Sequence, residues 1–304
     1  MIKYSLILTT LNEEKRVVNA MDQFEKFKRN DFEVILIDSD SSDSTLELVK
    51  QKHYSFPLLI KVDKSDLNTA RNLGISLANG EIVSIATVDN LLPENYLDRL
   101  DRYYNEGYDA VLCLYELPVN TNTWSSSWAY AQRRLLYDGK ENTGEFLWTE
   151  GFSCRKDIAK RIKFPYINKN ASGAEVWFGK QLKDIAAKIA YATDVDVKHI
   201  APASFSEFFQ ERKKRTRGAV FIEYYLYSFS KLGIMLRALV RILVNLIMIV
   251  LLFPSILEAF KLYPKAKEKS LKRLWWFFIA GQIDLFARVV GKLEAINTLL
   301  TVSR

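Results

Sequence analysis

The sequence predicts an α/β fold, a mainly parallel sheet flanked by helices, followed by an α-helical region associated with a membrane. Three observations predict it. Short β-branched apolar runs alternate with helical stretches over the first two-thirds of the chain. These runs end in polar loops, as in EVILIDSDSSDST, where Val34–Ile37 stops at three aspartates and four serines. Beyond Ala203 the composition turns aromatic and basic, and then strongly apolar.

Taken in order, Tyr4 to Thr9 reads as the first strand and Lys15 to Arg29 as a helix. Glu33 to Ile37 is the second strand, and Thr45 to His53 a helix whose start Asp43 and Ser44 are suited to cap. Leu58 to Val62, Glu81 to Ala86 and Ala110 to Leu114 read as strands; Thr69 to Ala78 and a stretch opened by Pro93 and running through Tyr104 read as helices. Trp124 to Tyr137 looks helical, a less regular stretch reaches Glu175, and a helix continues to Lys188. Ile189 to Ala192 and Val195 to His199 close the globular part, so residues 1–203 form one domain and 204–304 a second region.

A chain of 304 residues with 49% hydrophobic and 26% charged residues is of globular composition. The net charge of +7 is modest, and its placement matters more. Arg212, Lys213, Lys214, Arg215 and Arg217 form one block and Lys265 to Arg273 another, both flanking apolar stretches, which points to an anionic membrane surface more than to nucleic acid; no nucleic-acid partner is expected. Cys113 and Cys154 have neither disulfide nor zinc spacing, so a reducing compartment is expected. MIKYSLILTTLNEE has too short an apolar run for a secretory signal and reads as a strand.

In Ile234 to Phe253, Arg237, Arg241 and Asn245 recur at intervals of four and share one helical face. The uncharged part, Ile242 to Phe253, spans only about 18 Å as a helix, against roughly 30 Å of hydrocarbon. Leu274 to Val290 opens with Trp275 and Trp276, which suit an interface, and carries Asp284 and Arg288. Helices lying in one leaflet are the first expectation; a spanning hairpin and a soluble helical subdomain or dimer interface are the alternatives.

Several motifs occur in a telling order: YSLILTTLNEE, IDSDSSDST, ARNLGISLANGEIV, IATVDN and IAYATDVDVKH. Over about residues 2 to 200 the chain resembles the inverting family 2 glycosyltransferases of GT-A fold. The resemblance implies a nucleotide-sugar donor, with a UDP-sugar favoured, and Mg2+ or Mn2+ at the diphosphate. It assigns Thr9, Leu11 and Glu13 to the base and ribose, Asp38 to the base, and Arg71 to the base or phosphates. Arg71 could otherwise form an ion pair with Asp66. Thr87 and Asp89 stand where the family carries its Asp-x-Asp motif, with Asp89 the metal ligand or, alternatively, a helix cap before Leu91 and Pro93.

The resemblance also places the general base at Glu175, which could instead be an ordinary acid in a helix's first turn. His199 would be a further metal ligand or a structural strand end. Three acids of the family pattern are replaced, by Ser39, Thr87 and Ala174. Trp124, Trp128 and Trp148 either stack on acceptor sugars or pack in a core or against lipid.

The implied function is transfer of a sugar to a lipid-linked or surface-glycan acceptor by a membrane-associated enzyme with its active site facing the cytoplasm. A catalytically degenerate scaffold subunit is the alternative. A nucleotidyltransferase of similar fold is disfavoured, because the loop TTLNEE is acidic and lacks glycine. The oligomeric state is left open.

Overall fold

The structure, a computed structural model, describes residues 1–113, 116–137, 151–166, 174–227 and 229–301. Leu114 and Trp148 lie outside the described residues. In chain order the elements are β1 (Tyr4–Thr10), α1 (Val17–Asp22), β2 (Phe32–Asp38), α2 (Thr45–Gln51), β3 (Leu58–Val62), α3 (Leu67–Leu77), β4 (Ile82–Ala86), β5 (Asn90–Leu91), α4 (Tyr96–Asn105), β6 (Ala110–Cys113) and β7 (Glu116–Pro118). There follow α5 (Trp124–Tyr137), β8 (Phe152–Arg155), α6 (Lys156–Arg161), α7 (Ala174–Asp184), β9 (Ile189–Ala192), β10 (Val197–His199), α8 (Phe205–Tyr225), α9 (Lys231–Leu251), α10 (Phe253–Leu262) and α11 (Leu271–Thr301).

The chain divides into two compact units, the first drawn from Met1–Leu117, Gly139–Tyr166 and Glu175–Ile200. Its seven-stranded sheet has the order β3-β2-β1-β4-β8-β6-β9. The pairs β1/β2, β1/β4, β2/β3 and β6/β9 are parallel, and β8 is antiparallel to both of its neighbours. A smaller sheet has the order β5-β10-β7. Every residue of β2 is buried, which is why its apolar run is continuous and not alternating. Tyr4, Leu6, Leu8, Val34 and Leu36 form one core with Phe24, Phe27, Phe32 and Phe56. Each fully buried side chain of this size contributes roughly 1.5–3 kcal/mol.

Local chemistry sets the element ends. The helix expected over Lys15 to Arg29 is confined to Val17–Asp22 and a 3-10 turn at Phe24–Lys26. Phe24 and Phe27 there turn inward onto Phe56 and Phe32, and this core packing takes precedence over helix continuation. Asp66 caps α3 by accepting from the amides of Asn68 and Thr69 at 2.9 and 3.3 Å. α7 ends at Asp184, short of the expected Lys188, because Ala186 takes a left-handed turn with φ of 54°. β8 and α6 went unexpected; FSCR is too short and too polar to stand out as a strand. Gly80 is required by close approach, since a Cβ there would lie 2.7 Å from the Ser5 nitrogen.

The second unit is drawn from Pro118–Asp138, Ile167–Ala174 and Ala201–Arg304. Trp128, Phe208, Ala259, Leu262, Phe277 and Ala280 form its core. Trp124 and Trp128 rings meet Phe208 at 4.9 and 5.3 Å, so the core alternative holds for both. Three members of the first basic block, Arg212, Lys213 and Arg217, reach acids on α11, while Lys214 is exposed. Arg212 and Arg288 meet the buried Asp284, each at 2.5 Å, Lys213 lies 2.6 Å and Arg217 3.6 Å from Glu294, and Arg215 pairs with Glu211. Gly291 lets α11 approach α8 closely, as a Cβ there would meet the Lys213 carbonyl at 2.6 Å.

Two described helices, Lys231–Leu251 and Leu271–Thr301, are long and apolar enough to cross a membrane. They differ in character. α9 exposes Leu236, Val240, Leu243, Ile247 and Val250, whereas α11 buries Arg273, Asp284 and Lys292 within its unit.

Candidate functional site

The strand order β3-β2-β1-β4 places β1 at the centre, with the chain moving outward in one direction to β2 and β3 and in the other to β4. In open α/β sheets ligands bind beyond the carboxyl ends of the strands at such a switch point. Register aligns those ends: Thr10 is level with Asp38, and Leu8 with Ala86. Thr9 lies near the end of β1, Leu11 and Glu13 follow it, Asp38 ends β2, and Thr87 and Asp89 lie just past β4.

The β1 loop is tied to the β2 loop by reciprocal bonds. The Glu13 amide donates to Thr45 Oγ1 at 2.8 Å, the Ser42 amide to Asn12 Oδ1 at 2.8 Å, and the Glu14 amide to Asp43 Oδ2 at 3.1 Å. Asn12 and Asp40 take left-handed φ values of 56° and 69°, which Asn and Asp accept more readily than other side-chain-bearing residues. Asp43 accepts from the Thr45 amide at 3.0 Å, while Ser44 makes no side-chain cap bond.

Asp38 is fully buried. It accepts from Thr10 Oγ1 at 2.9 Å, from the Ser41 amide at 2.8 Å and from Ser41 Oγ at 2.6 Å. Its carboxylate therefore shapes the loop from beneath. Leu11 is 52% exposed beside it, leaving an open apolar side chain on the loop surface.

Asp89 and His199 come together although they are far apart in sequence. β5 runs antiparallel to β10, with His199 opposite Asn90, and the Ile200 amide donates to the Asp89 carbonyl at 2.8 Å. His199 Nε2 lies 3.3 Å from Asp89 Oδ2, and Thr87 Oγ1 donates to Asp89 Oδ1 at 2.5 Å. Burial pushes the Asp89 carboxyl up, but the hydrogen bond and charge of His199, with the Thr87 bond, outweigh it and hold the group at about 2. Burial raises the Glu13 carboxyl against the pull of Arg16, and the negative charges of Asp89 and Asp43 add to the rise. Asp89 does not cap a helix: α4 starts at Tyr96 with Asn95 at its N-cap.

Arg71 is 3% exposed on α3, and its Nη1 lies 3.5 Å from Glu175 Oε1 in the first turn of α7. Its guanidinium also stands over the Phe164 ring at 5.2 Å, and Phe164 stacks on Phe178 of α7 at 4.4 Å. Asp66, the alternative partner for Arg71, is occupied as the α3 cap. Sequence reasoning named both Arg71 and Glu175 but did not join them. The Ser41 contact to the buried Asp38 was also missed, although the Asp-x-x-Ser spacing is visible in the loop.

A divalent cation fits this donor set in part. Asp89 supplies an ionised carboxylate and His199 an imidazole nitrogen; among the described residues no group of three or more His, Cys, Asp or Glu could hold a metal. Magnesium commonly binds through one or two carboxylates, substrate phosphates and water, so two protein donors are compatible with a donor-dependent site.

Similarity to known proteins bears on this geometry. The TarS poly(ribitol-phosphate) beta-N-acetylglucosaminyltransferase of Staphylococcus aureus strain Mu50 is 29% identical over 127 residues, covering 40% of this chain and 22% of TarS. The chain thus spans about a fifth of the length of that relative. Glycosyltransferase AglE of Haloferax volcanii is 23% identical over 225 residues, 71% of this chain and 72% of AglE. Among solved structures, S. aureus TarS 1-349 in complex with UDP-GlcNAc has a TM-score of 0.56 at 16% identity, covering 96% of this chain and 92% of that one. Mannosyltransferase PcManGT from Pyrobaculum calidifontis, in complex with GDP-Man and Mn2+, has a TM-score of 0.57 at 15% identity, covering 99% of this chain and 76% of that one. These likenesses show the fold, which is GT-A. The family model for glycosyl transferase family 2 matches residues 5–162, more than half of the 304 residues, and the chain belongs to that family.

Proposed function

We propose that this chain is a metal-dependent inverting glycosyltransferase that moves a sugar from a nucleotide sugar, with a UDP-sugar first, to a lipid-linked or surface-glycan acceptor at the cytoplasmic face of a membrane. The observation that carries the reading is the pairing of Asp89 with His199 at 3.3 Å, just beyond the carboxyl end of β4. The TarS and PcManGT complexes, with UDP-GlcNAc and with GDP-Man and Mn2+, support a nucleotide-sugar donor for a chain of this fold.

Asp89 and His199 would hold Mg2+ or Mn2+, which when bound supplies positive charge to the diphosphate leaving group. Thr87 fixes the orientation of the Asp89 carboxylate. Thr9, Leu11 and Glu13 embrace the base and ribose on a loop that Asp38 stiffens through Ser41. Glu175 accepts the acceptor hydroxyl's proton as that oxygen bonds to the anomeric carbon, while the nucleoside diphosphate departs with its bonding electrons from the opposite face. Arg71, being within 3.5 Å of Glu175, is its positioning residue. The exposed apolar face of α9 supports residence at a membrane.

Calorimetric titration of UDP, GDP and CDP into the detergent-purified chain, with and without Mn2+, tests the reading. Binding of UDP that requires the metal is expected. Binding of none of the three, with or without metal, would overturn it in favour of a degenerate scaffold.

A further inference from the structure

α10 and α11 enclose an apolar groove in the second unit, with a volume of about 740 Å3. Leu252, Ile256 and Phe260 line it from one side and Leu271, Trp275 and Phe278 from the other, at the intervals of three and four that stack side chains on one helical face. Phe260 is 58% exposed and Trp275 60%. Lys272 is the one charged side chain in the lining; its ammonium lies 4.7 Å from the Trp276 ring.

Where the two helices meet, the residues between Lys261 and Arg273 carry five lysines, Lys261, Lys265, Lys267, Lys269 and Lys272, against the single acid Glu268. Glu268 pairs with Arg273 at 2.9 Å, so it does not offset the lysines. Cationic charge is thus gathered at one end of an apolar trough.

We propose that this groove binds one membrane lipid with an anionic phosphate headgroup, its hydrocarbon chain in the trough and its phosphate at the lysine rim. The inference rests on the reading that the second unit resides at a membrane. A hydrocarbon chain needs no hydrogen bonds, and the lining side chains are apolar except for the Lys272 ammonium and the Trp275 indole N–H. A peptide laid in the same trough would leave backbone N–H and C=O groups unmet, each at a cost. The groove volume falls in the roughly 300–1,000 Å3 range of pockets that take small ligands. Lys272 can lay its alkyl stem along the apolar wall and keep its ammonium at the rim.

The test uses the full chain with vesicles in which a minor share of lipid is acyl-brominated phosphatidylglycerol or, in parallel, acyl-brominated phosphatidylcholine. Bromine quenches tryptophan fluorescence on contact, and Trp275 is the reporter, checked by Trp275→Phe. Preferential quenching by the brominated phosphatidylglycerol is expected. Phe260→Asp, an exposed position, should abolish that preference, and Lys272→Ala should weaken it about fivefold, the share of one lysine near an anionic surface. Leu59→Asp on β3, an exposed position of the first unit outside both the groove and the apolar face of α9, should leave it intact. Equal quenching by both lipids would overturn the proposal, as would loss with Leu59→Asp equal to that with Phe260→Asp, or displacement by glycerol 3-phosphate, which carries no chain. Metal-dependent UDP binding measured on the same variants separates the outcomes: retained nucleotide binding with no lipid preference defeats this inference alone.

Discussion

Arg71 and Glu175 meet at 3.5 Å, joining the middle of α3 to the first turn of α7. The guanidinium is buried between that carboxylate and the Phe164 ring, so the two helices fix each other's orientation through a charged contact.

Glu175→Gln preserves an oxygen acceptor for the buried Arg71 but removes its charge partner, so the cost in stability should be about 1–3 kcal/mol. Transfer, measured by release of UDP in the presence of acceptor, should fall by at least about 100-fold. Nucleotide affinity, measured by calorimetry, should stay within about twofold; a loss of affinity matching the loss of rate would remove Glu175 from the role of base.

Asp89→Ala should abolish the Mn2+-dependent part of nucleotide binding, and His199→Ala should weaken it by about 10- to 100-fold, the range typical when a group supporting a metal site is lost. Titration of the metal in the presence of UDP reads both. Metal-independent binding in the parent chain would contradict the assignment.

The Asp89 carboxyl, at about 2, lies below its ordinary value of 3.8. Its interactions with His199 and Thr87 therefore stabilise the folded chain above about pH 4, and that stability is lost as the pH falls through about 2. With the side chain 38% exposed, solvent screening limits the effect to about 1 kcal/mol. Asp89→Asn should flatten the dependence of the unfolding midpoint on pH across this window, as measured by urea titration at each pH.

Asp38→Ala removes a buried acceptor from the Ser41 amide, from Ser41 Oγ and from Thr10 Oγ1. The expected loss is about 1–3 kcal/mol of stability. Because the loop would lose its internal tie, UDP binding should weaken as well. Unchanged UDP binding in a measurably destabilised variant would confine Asp38 to the fold.

Asp284→Ala leaves Arg212 and Arg288 facing a neutral site within the second unit. Breaking a buried ion pair by removing one partner costs about 3–5 kcal/mol, so thermal melting followed by circular dichroism should show a clear drop in Tm. A Tm within a degree of the parent would show that the pair contributes little.

β1, β2 and β4 were legible to within a residue at each end because burial on both faces demands continuous apolar runs, and β3, an edge strand with exposed residues, was legible at its observed bounds from its short apolar run alone. α5 was likewise legible over Trp124–Tyr137. Helix ends were less so. α1 stopped early because Phe24 and Phe27 pack inward, an outcome decided by Phe32 and Phe56 on other segments.

The sequence by itself determined the order of the motifs and the residue types at each strand end, since these are local choices of propensity and polarity. It named Asp38, Asp89, Glu175 and His199. Tertiary structure alone decided who meets whom: that β5 lies against β10 and so brings His199 to Asp89, that Glu175 faces Arg71, and that Arg212 reaches Asp284 while Lys213 and Arg217 reach Glu294. The physical reason is that a charge declares its presence in the chain, whereas its partner is chosen by strand pairing and helix packing between residues far apart in sequence.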